Sequence, residues 1–271
     1  ADYKLKCHVF STIGSHGSLT VEQALMNSCN PYMIHLALEM GNSRFAYYQS
    51  LFGFGKITGI DLPGETTGIV YGDRMTTIDA ACNSFGQTIN VNMMQMMAAY
   101  CSIINGGMLY QPHIVKRIES ANGEVVKEYK ANLVRQTITA STSKLLRRYL
   151  KNTVEEGTAK KAGVTGYSVA GKTGTAQKGD RKDNKWIISF IGHAPAENPK
   201  FAIYVVIDEP YGTTGTSGSS ADVLTLTHNI LEKLLPYMNV YKDASDEYED
   251  TSSSPDELTV DGIPAGTASS N

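Results

Sequence analysis

Gly171-Lys172-Thr173-Gly174-Thr175-Ala176 is the stretch of this chain best suited to chemistry. Lys172 brings positive charge, Thr173 and Thr175 bring hydroxyls and backbone N–H groups, and Gly174 lets a ligand lie against the main chain. That mixture suits an anionic, peptide-like molecule laid along a strand edge. The same six residues suit a glycine-softened turn that binds nothing. A phosphate-binding loop is excluded, because the glycine spacing of a Walker motif is absent before Lys172. The second candidate is Ser28-Cys29-Asn30, two small polar side chains flanking a thiol ahead of Pro31. Its chemistry-free reading is capping, with Asn30 as the N-cap of a helix and Ser28 closing the helix before it.

The elements that must position these residues are legible in outline. Thr20-Val21-Glu22-Gln23 has the pattern of a capping box, which predicts a helix from Val21 to about Asn27. Pro31 suits the first turn of a second helix, which Gly41 ends, so Ser28-Cys29-Asn30 falls at a junction between two helices. Tyr47 to Phe54 is aromatic and punctuated by glycine, and Asp61-Leu62-Pro63-Gly64-Glu65 reads as a turn. Asn90 is placed to cap a helix through Ile104, whose Met93, Met94, Met96 and Met97 read as a core stripe. Ile114–Ile118 and Glu124–Tyr129 flank Ala121-Asn122-Gly123, a hairpin signal. Ser141–Glu156 has helical periodicity. Three strands follow, from Tyr167, over Trp186–His193 and over Phe201–Asp208, joined by connectors short enough to make neighbours antiparallel. A last helix is expected from about Ala221 to Leu235. Helices, then sheet, then a closing helix give an α+β fold.

Composition narrows the function classes. The chain has 271 residues, of which 41% are hydrophobic, and its 24 Lys+Arg against 27 Asp+Glu leave a net charge of -3. With no basic stripe interleaved with aromatics, nucleic-acid binding is not expected. Cys7, Cys29, Cys82 and Cys101 form no CxxC pair and stand near no histidine cluster in sequence, so no metal site is expected. No apolar run approaches the roughly 20 residues of a membrane-spanning helix. Asp243–Asn271 is acidic, then Ser- and Gly-rich, and reads as a disordered tail or linker after a body of residues 1–242.

Taken in order, the two candidate motifs and the stretches between them resemble the transpeptidase domain of class B penicillin-binding proteins. That family carries S-x-x-K, then a triplet of the Ser28-Cys29-Asn30 kind, then K-T-G. Here the triplet precedes Lys172-Thr173-Gly174. Supporting stretches are His16-Gly17, Phe52-Gly53-Phe54-Gly55, Thr58 through Glu65, Ser84-Phe85-Gly86-Gln87, Asn105-Gly106-Gly107 and Glu156-Gly157-Thr158-Ala159. The resemblance covers nearly all of residues 1–242. It implies a penicillin-binding/β-lactamase-like transpeptidase fold, an antiparallel sheet flanked by helices, with the N-terminal strands and the nucleophile helix lying upstream of this chain.

The resemblance implies a peptidoglycan D,D-transpeptidase that cross-links D-Ala-D-Ala stem peptides by acyl transfer and is inhibited by β-lactams. It implies lipid-linked precursors as further partners, cell-wall synthesis complexes of division or sporulation, and a place on the outer face of a bacterial membrane with the anchor outside this chain. No metal or organic cofactor is implied. Ser28, Asn30 and Lys172 would be the catalytic residues, with Thr173, Gly174 and Thr175 binding substrate. One S-x-x-K occurs, Ser141-Thr142-Ser143-Lys144, but it lies between the triplet and the K-T-G, whereas the family has it before both; it reads as the polar start of an amphipathic helix. The nucleophile is therefore expected upstream of residue 1, and the chain alone is expected to be inactive. Gly212-Thr213-Thr214-Gly215-Thr216 echoes the K-T-G stretch without its lysine and reads as a loop. His193 reads as a structural histidine, and Asp208 and Glu209 point to opposite faces of a strand. Two rival readings remain: a serine β-lactamase or β-lactam receptor, and a non-catalytic peptidoglycan-binding scaffold.

Overall fold

The computed structural model describes Cys7, Val9, residues 12–180, Lys182, residues 184–210 and residues 219–243. The 212–216 loop and, beyond Asp243, the expected tail lie outside the described residues.

The helical half begins with α1 (Val21–Met26). The Thr20 hydroxyl accepts the Gln23 amide at 3.2 Å and the Gln23 side chain accepts the Thr20 amide at 2.9 Å, the reciprocal cap expected from sequence. Next comes α2 (Asn30–Met40), whose N-cap is Cys29 and not Asn30; Asn30 already has helical geometry in the first turn with Pro31. Gly41, at φ +80, ends α2 and starts α3 (Asn42–Leu51), so the helix extends into the segment read only as aromatic and glycine-punctuated. A second capping box, between Thr76 and Asp79, starts α4 (Thr77–Asn83).

α5 (Met93–Ile104) is capped by Asn92, not Asn90. The backbone of Asn90 is engaged in a two-way bridge with Ile69, which holds it extended. The methionines are not the core face of this helix either. Met93 is half exposed, and the buried positions are Gln95, Ala99, Tyr100, Ser102 and Ile104. Gln95 faces inward because its amide donates to the carbonyls of Lys56 (2.6 Å) and Thr67 (3.0 Å), tying down the loop ahead of α4.

Two small sheets follow. β1 (Met108–Gln111) pairs antiparallel with β4 (Asn132–Gln136), and between them β2 (Arg117–Glu119) and β3 (Val125–Glu128) make the expected hairpin. The hairpin is shorter than its apolar pattern, since the amides of Ile114 and Val115 donate to the Asp61 carboxylate at 2.7 and 2.8 Å instead of joining a ladder.

The functional half is built from α6 (Ala140–Glu155), β5 (Ala170–Lys178), β6 (Lys185–Ala194), β7 (Phe201–Asp208) and α7 (Ala221–Tyr237). The strands form one antiparallel sheet in the order β5-β6-β7, with Lys172 opposite Ile191 and Gly174 opposite Ser189. Tyr167 closes a turn on Val164, so the first strand starts three residues later than its pattern. Ile188 and Phe190 are fully buried with Val223, Leu231 and Leu235, the apolar stripe of α7. Ala170 and the half-buried Ile191 pack with Tyr100, Ile104 and Leu150 of α5 and α6. A sheet covered on both faces is thus the frame on which β5 sits. Among the described residues β5 and β7 are each paired on one side only, and β7 stays half-buried along nearly its whole length. Among the described residues no helix is long and apolar enough to cross a membrane.

Candidate active site

Ser28 owes its position to the way α1 stops. The amides of Asn27, Ser28 and Cys29 fold back onto the carbonyls of Gln23, Leu25 and Ala24, and Ser28 takes φ +50, a left-handed conformation that costs a residue with a Cβ on the order of 1 kcal/mol. The turn is held from outside by the segment after α6, where the Thr158 amide donates to the Met26 carbonyl at 3.1 Å. That approach needs Gly157. A Cβ there would lie 2.8 Å from the Met26 carbonyl oxygen and 2.9 Å from backbone atoms of Thr153.

So held, the Ser28 hydroxyl accepts a very short hydrogen bond from Lys172 Nζ on β5. The Thr158 hydroxyl lies 3.4 Å from Ser28 Oγ on one side and 3.4 Å from Thr173 Oγ1 on the other, bridging the triplet to the strand. Lys172 also donates to the Thr173 carbonyl at 3.0 Å. Among the described residues no carboxylate lies within ion-pair distance of it. Burial of the ammonium pulls Lys172 down to about 8 from an ordinary 10.5. An enclosed amine without a counter-ion, bonded to a hydroxyl, is equipped to pass a proton near neutral pH and to attract an anion.

β5 is fixed at depth by two devices. The buried Thr153 hydroxyl of α6 donates to the Gly171 carbonyl in a very short bond and lies 2.7 Å from the Leu150 carbonyl. Gly171 itself must lack a side chain, because a Cβ would lie 2.3 Å from Cζ of Phe190. Further along, a Cβ on Gly174 would lie 2.5 Å from Ser189 Oγ. The glycine therefore makes room for a hydroxyl beneath the strand. Burial pushes the Tyr204 phenol upward, and the Ser189 side chain opposes that shift. Alternation puts Lys172 and Gly174 on one face of β5 and Thr173 and Thr175 on the other. Thr175 is exposed at the unpaired edge.

The fold thus brings Ser28, Lys172 and Thr173 into contact, with Gly174 and Thr175 continuing along the open edge. Asn30 is not drawn into that network. It stands in the first turn of α2, half-buried, its carboxamide making no hydrogen bond among the described residues. Sequence reasoning missed Thr158 and Ser189, which carry no motif of their own. Gly157-Thr158 was visible only as part of a family stretch, and Ser189 could be found only from the strand register. His193, fully buried, is held by Tyr100 (2.8 Å) and the Ala196 carbonyl (3.1 Å), and burial pulls it down to about 4, a neutral structural histidine as expected. In the Ser141-Thr142-Ser143-Lys144 stretch, Ser141 and Lys144 are exposed, while Ser143 is buried and donates to the Ile103 carbonyl at 2.6 Å. The helix cap is Thr139.

Comparison with known proteins gives this geometry a family. The model of the penicillin binding protein transpeptidase domain matches residues 8–232. Stage V sporulation protein D of Bacillus subtilis is 40% identical over 84% of this chain and 36% of its own length. Peptidoglycan D,D-transpeptidase FtsI of Escherichia coli is 32% identical over 89% of this chain and 40% of its own length. The crystal structure of penicillin binding protein 3 from Mycobacterium tuberculosis complexed with ampicillin superposes with a TM-score of 0.75 at 30% identity, over 83% of this chain and 52% of that one. The chain spans well under half the length of these curated relatives. With the α+β fold, the ordered motifs and the Ser28–Lys172 contact all in place, the chain belongs to the penicillin-binding protein transpeptidase family, of the class B type.

Proposed function

We propose that this chain supplies the substrate-binding wall and proton relay of a peptidoglycan D,D-transpeptidase whose nucleophile comes from an S-x-x-K segment earlier in the same, longer protein. The observation that carries the proposal is the hydrogen bond between Lys172 and Ser28, residues from an edge strand and a helix junction far apart in sequence. The upstream serine attacks the penultimate D-Ala carbonyl of a stem peptide, and the terminal D-Ala leaves as an amine that must gain a proton. Ser28 delivers it, and Lys172 replenishes Ser28. A lysine near 8 is neutral in roughly a tenth of molecules at pH 7, enough to exchange protons with a bonded hydroxyl. An amine from a neighbouring strand then takes the acyl group.

Thr173 and Thr175 receive the substrate carboxylate and peptide edge along β5, where no strand competes among the described residues. The Thr175 amide provides half of an oxyanion hole, worth about 3 kcal/mol if removed. The Asn30 carboxamide, without a hydrogen bond among the described residues, would bond the substrate amide and the upstream lysine. β-Lactams acylate the same serine as substrate mimics. The longer protein works on the outer face of the bacterial membrane, with lipid-linked precursors and other cell-wall synthesis proteins.

The test is covalent labelling by a fluorescent penicillin. The longer protein is expected to keep the label after denaturation, on the serine of the upstream motif, while this chain alone takes none. Ser28→Ala and Lys172→Ala are expected to slow acylation by on the order of 10²-fold. Label mapped to Ser28 or Ser141, or acylation unchanged by either substitution, would overturn the assignment.

A further inference from the structure

Beside the catalytic triplet, the fold assembles a group that sequence spacing does not announce. The sulfurs of Cys7 and Cys29 and an imidazole nitrogen of His16 all lie within 4.8 Å of one another. Cys7 Sγ stands 3.6 Å from His16 Nδ1. In a tetrahedral zinc site, with Zn–S about 2.3 Å and Zn–N about 2.0–2.1 Å, the sulfur–nitrogen edge is about 3.6 Å. Both thiols are buried, 9% and 6% exposed, in an apolar cluster with Ala24 that Val9, Leu19, Tyr32 and Met33 surround. Two sulfurs and one imidazole beside an apolar cluster are the donor set of a borderline-soft cation, and exclude magnesium or calcium, which take oxygen ligands.

We propose that Cys7, His16 and Cys29 bind a single thiophilic divalent cation, best matched by Zn2+, which pins the segment carrying Cys7 and His16 to the Ser28-Cys29-Asn30 turn. The cation takes two thiolates and one neutral imidazole, releases the two thiol protons to solvent, and leaves its fourth position to water or an oxygen donor. The consequence is mechanical. Cys29 is the N-cap of α2 and the neighbour of Ser28, whose left-handed backbone conformation is unfavourable; anchoring Cys29 holds that turn where Ser28 meets Lys172. The site is a positioning device and stands independently of the transpeptidase reading.

The test is metal titration of the full chain, reduced and metal-stripped, under anaerobic conditions. Co2+ is expected to bind at one equivalent with thiolate-to-cobalt charge-transfer bands and the intense d–d bands of tetrahedral coordination, and Zn2+ to displace it and raise the melting temperature. Cys7→Ser and Cys29→Ser are expected to lose the charge-transfer bands, and His16→Ala to weaken Zn2+ at least about tenfold. Cys82→Ser and Cys101→Ser are expected to leave both unchanged. Where a variant fails to fold, X-ray absorption of the zinc-loaded wild type counts the ligands directly, with two sulfurs and one imidazole expected. A weak octahedral cobalt spectrum, no uptake, or a Cys7–Cys29 disulfide that takes no metal once reduced would each overturn the proposal.

Discussion

Replacing Lys172 by methionine is expected to make the chain more stable and its site less reactive at once. The folded protein encloses an ammonium that has no carboxylate partner among the described residues, and that burial takes the lysine from 10.5 to about 8. The drop corresponds to about 3 kcal/mol of desolvation carried by the charged form. Against it stand the hydrogen bonds from the charged amine to Ser28 and to the Thr173 carbonyl, worth about 1.5 kcal/mol each at the low end for bonds to a charged group, and methionine forfeits both. Residual water contact at the partly exposed side chain reduces the gain further. The net expectation is a small stabilisation, under about 1 kcal/mol below pH 8, or at most roughly 2–4 °C in melting temperature. The sign follows from proton counting. Below about 8 both folded and unfolded states hold the proton, so the full desolvation cost is present. Between about 8 and 10.5 the unfolded state binds more protons, so wild-type stability rises with pH while that of the variant does not. Parallel melts at pH 7 and pH 10 check this, and the advantage of methionine should shrink or reverse at the higher pH. In the longer protein the same variant should lose penicillin acylation. A variant that melts well below wild type at pH 7, by a margin indifferent to pH, would refute the account of Lys172 as an enclosed, uncompensated cation.

Three further outcomes are expected. Gly157→Ala should destabilise by about 1–3 kcal/mol, because its Cβ meets backbone atoms of Met26 and Thr153 that cannot swing aside; since these hold the Ser28 turn, acylation in the longer protein should fall too, as labelling kinetics and urea melts would show. Gly174→Ala should slow acylation by pressing on Ser189 Oγ at 2.5 Å, and the added change Ser189→Ala should recover part of the rate; no recovery would mean that the methyl blocks ligand and not packing. His193, buried at about 4 against 6.5 in the unfolded chain, should withdraw about 3 kcal/mol of stability as pH falls from 6.5 towards 4, since the unfolded state takes up the proton first. Urea unfolding across that range should show a pH dependence that His193→Gln lacks.

Some of these features are written locally, and those are the ones a sequence reading recovers. The capping box at Thr20 and Gln23, with Pro31 eleven residues on, determines that a helix ends and another begins around Ser28. Short connectors determine that β5, β6 and β7 run antiparallel. The position of Ser141-Thr142-Ser143-Lys144 sets it apart from the family's nucleophile motif, and the exposed faces of Ser141 and Lys144 agree. Local signals fail where a competing contact takes over a backbone group, as when Ile69 holds Asn90 and leaves the cap to Asn92, or when Asp61 takes the amides of Ile114 and Val115 from the hairpin.

What only the tertiary structure decided is which distant groups meet. That Lys172 reaches Ser28, that Thr158 bridges them to Thr173, that Gly174 clears space for Ser189, and that Cys7, His16 and Cys29 converge all depend on how α1, α6 and the sheet pack. Caps, turns and strand alternation are settled within a few residues, by backbone sterics and hydrogen bonds that a short window contains. A contact between residues far apart in the chain is settled by the burial of whole faces, and no short window of sequence holds that information.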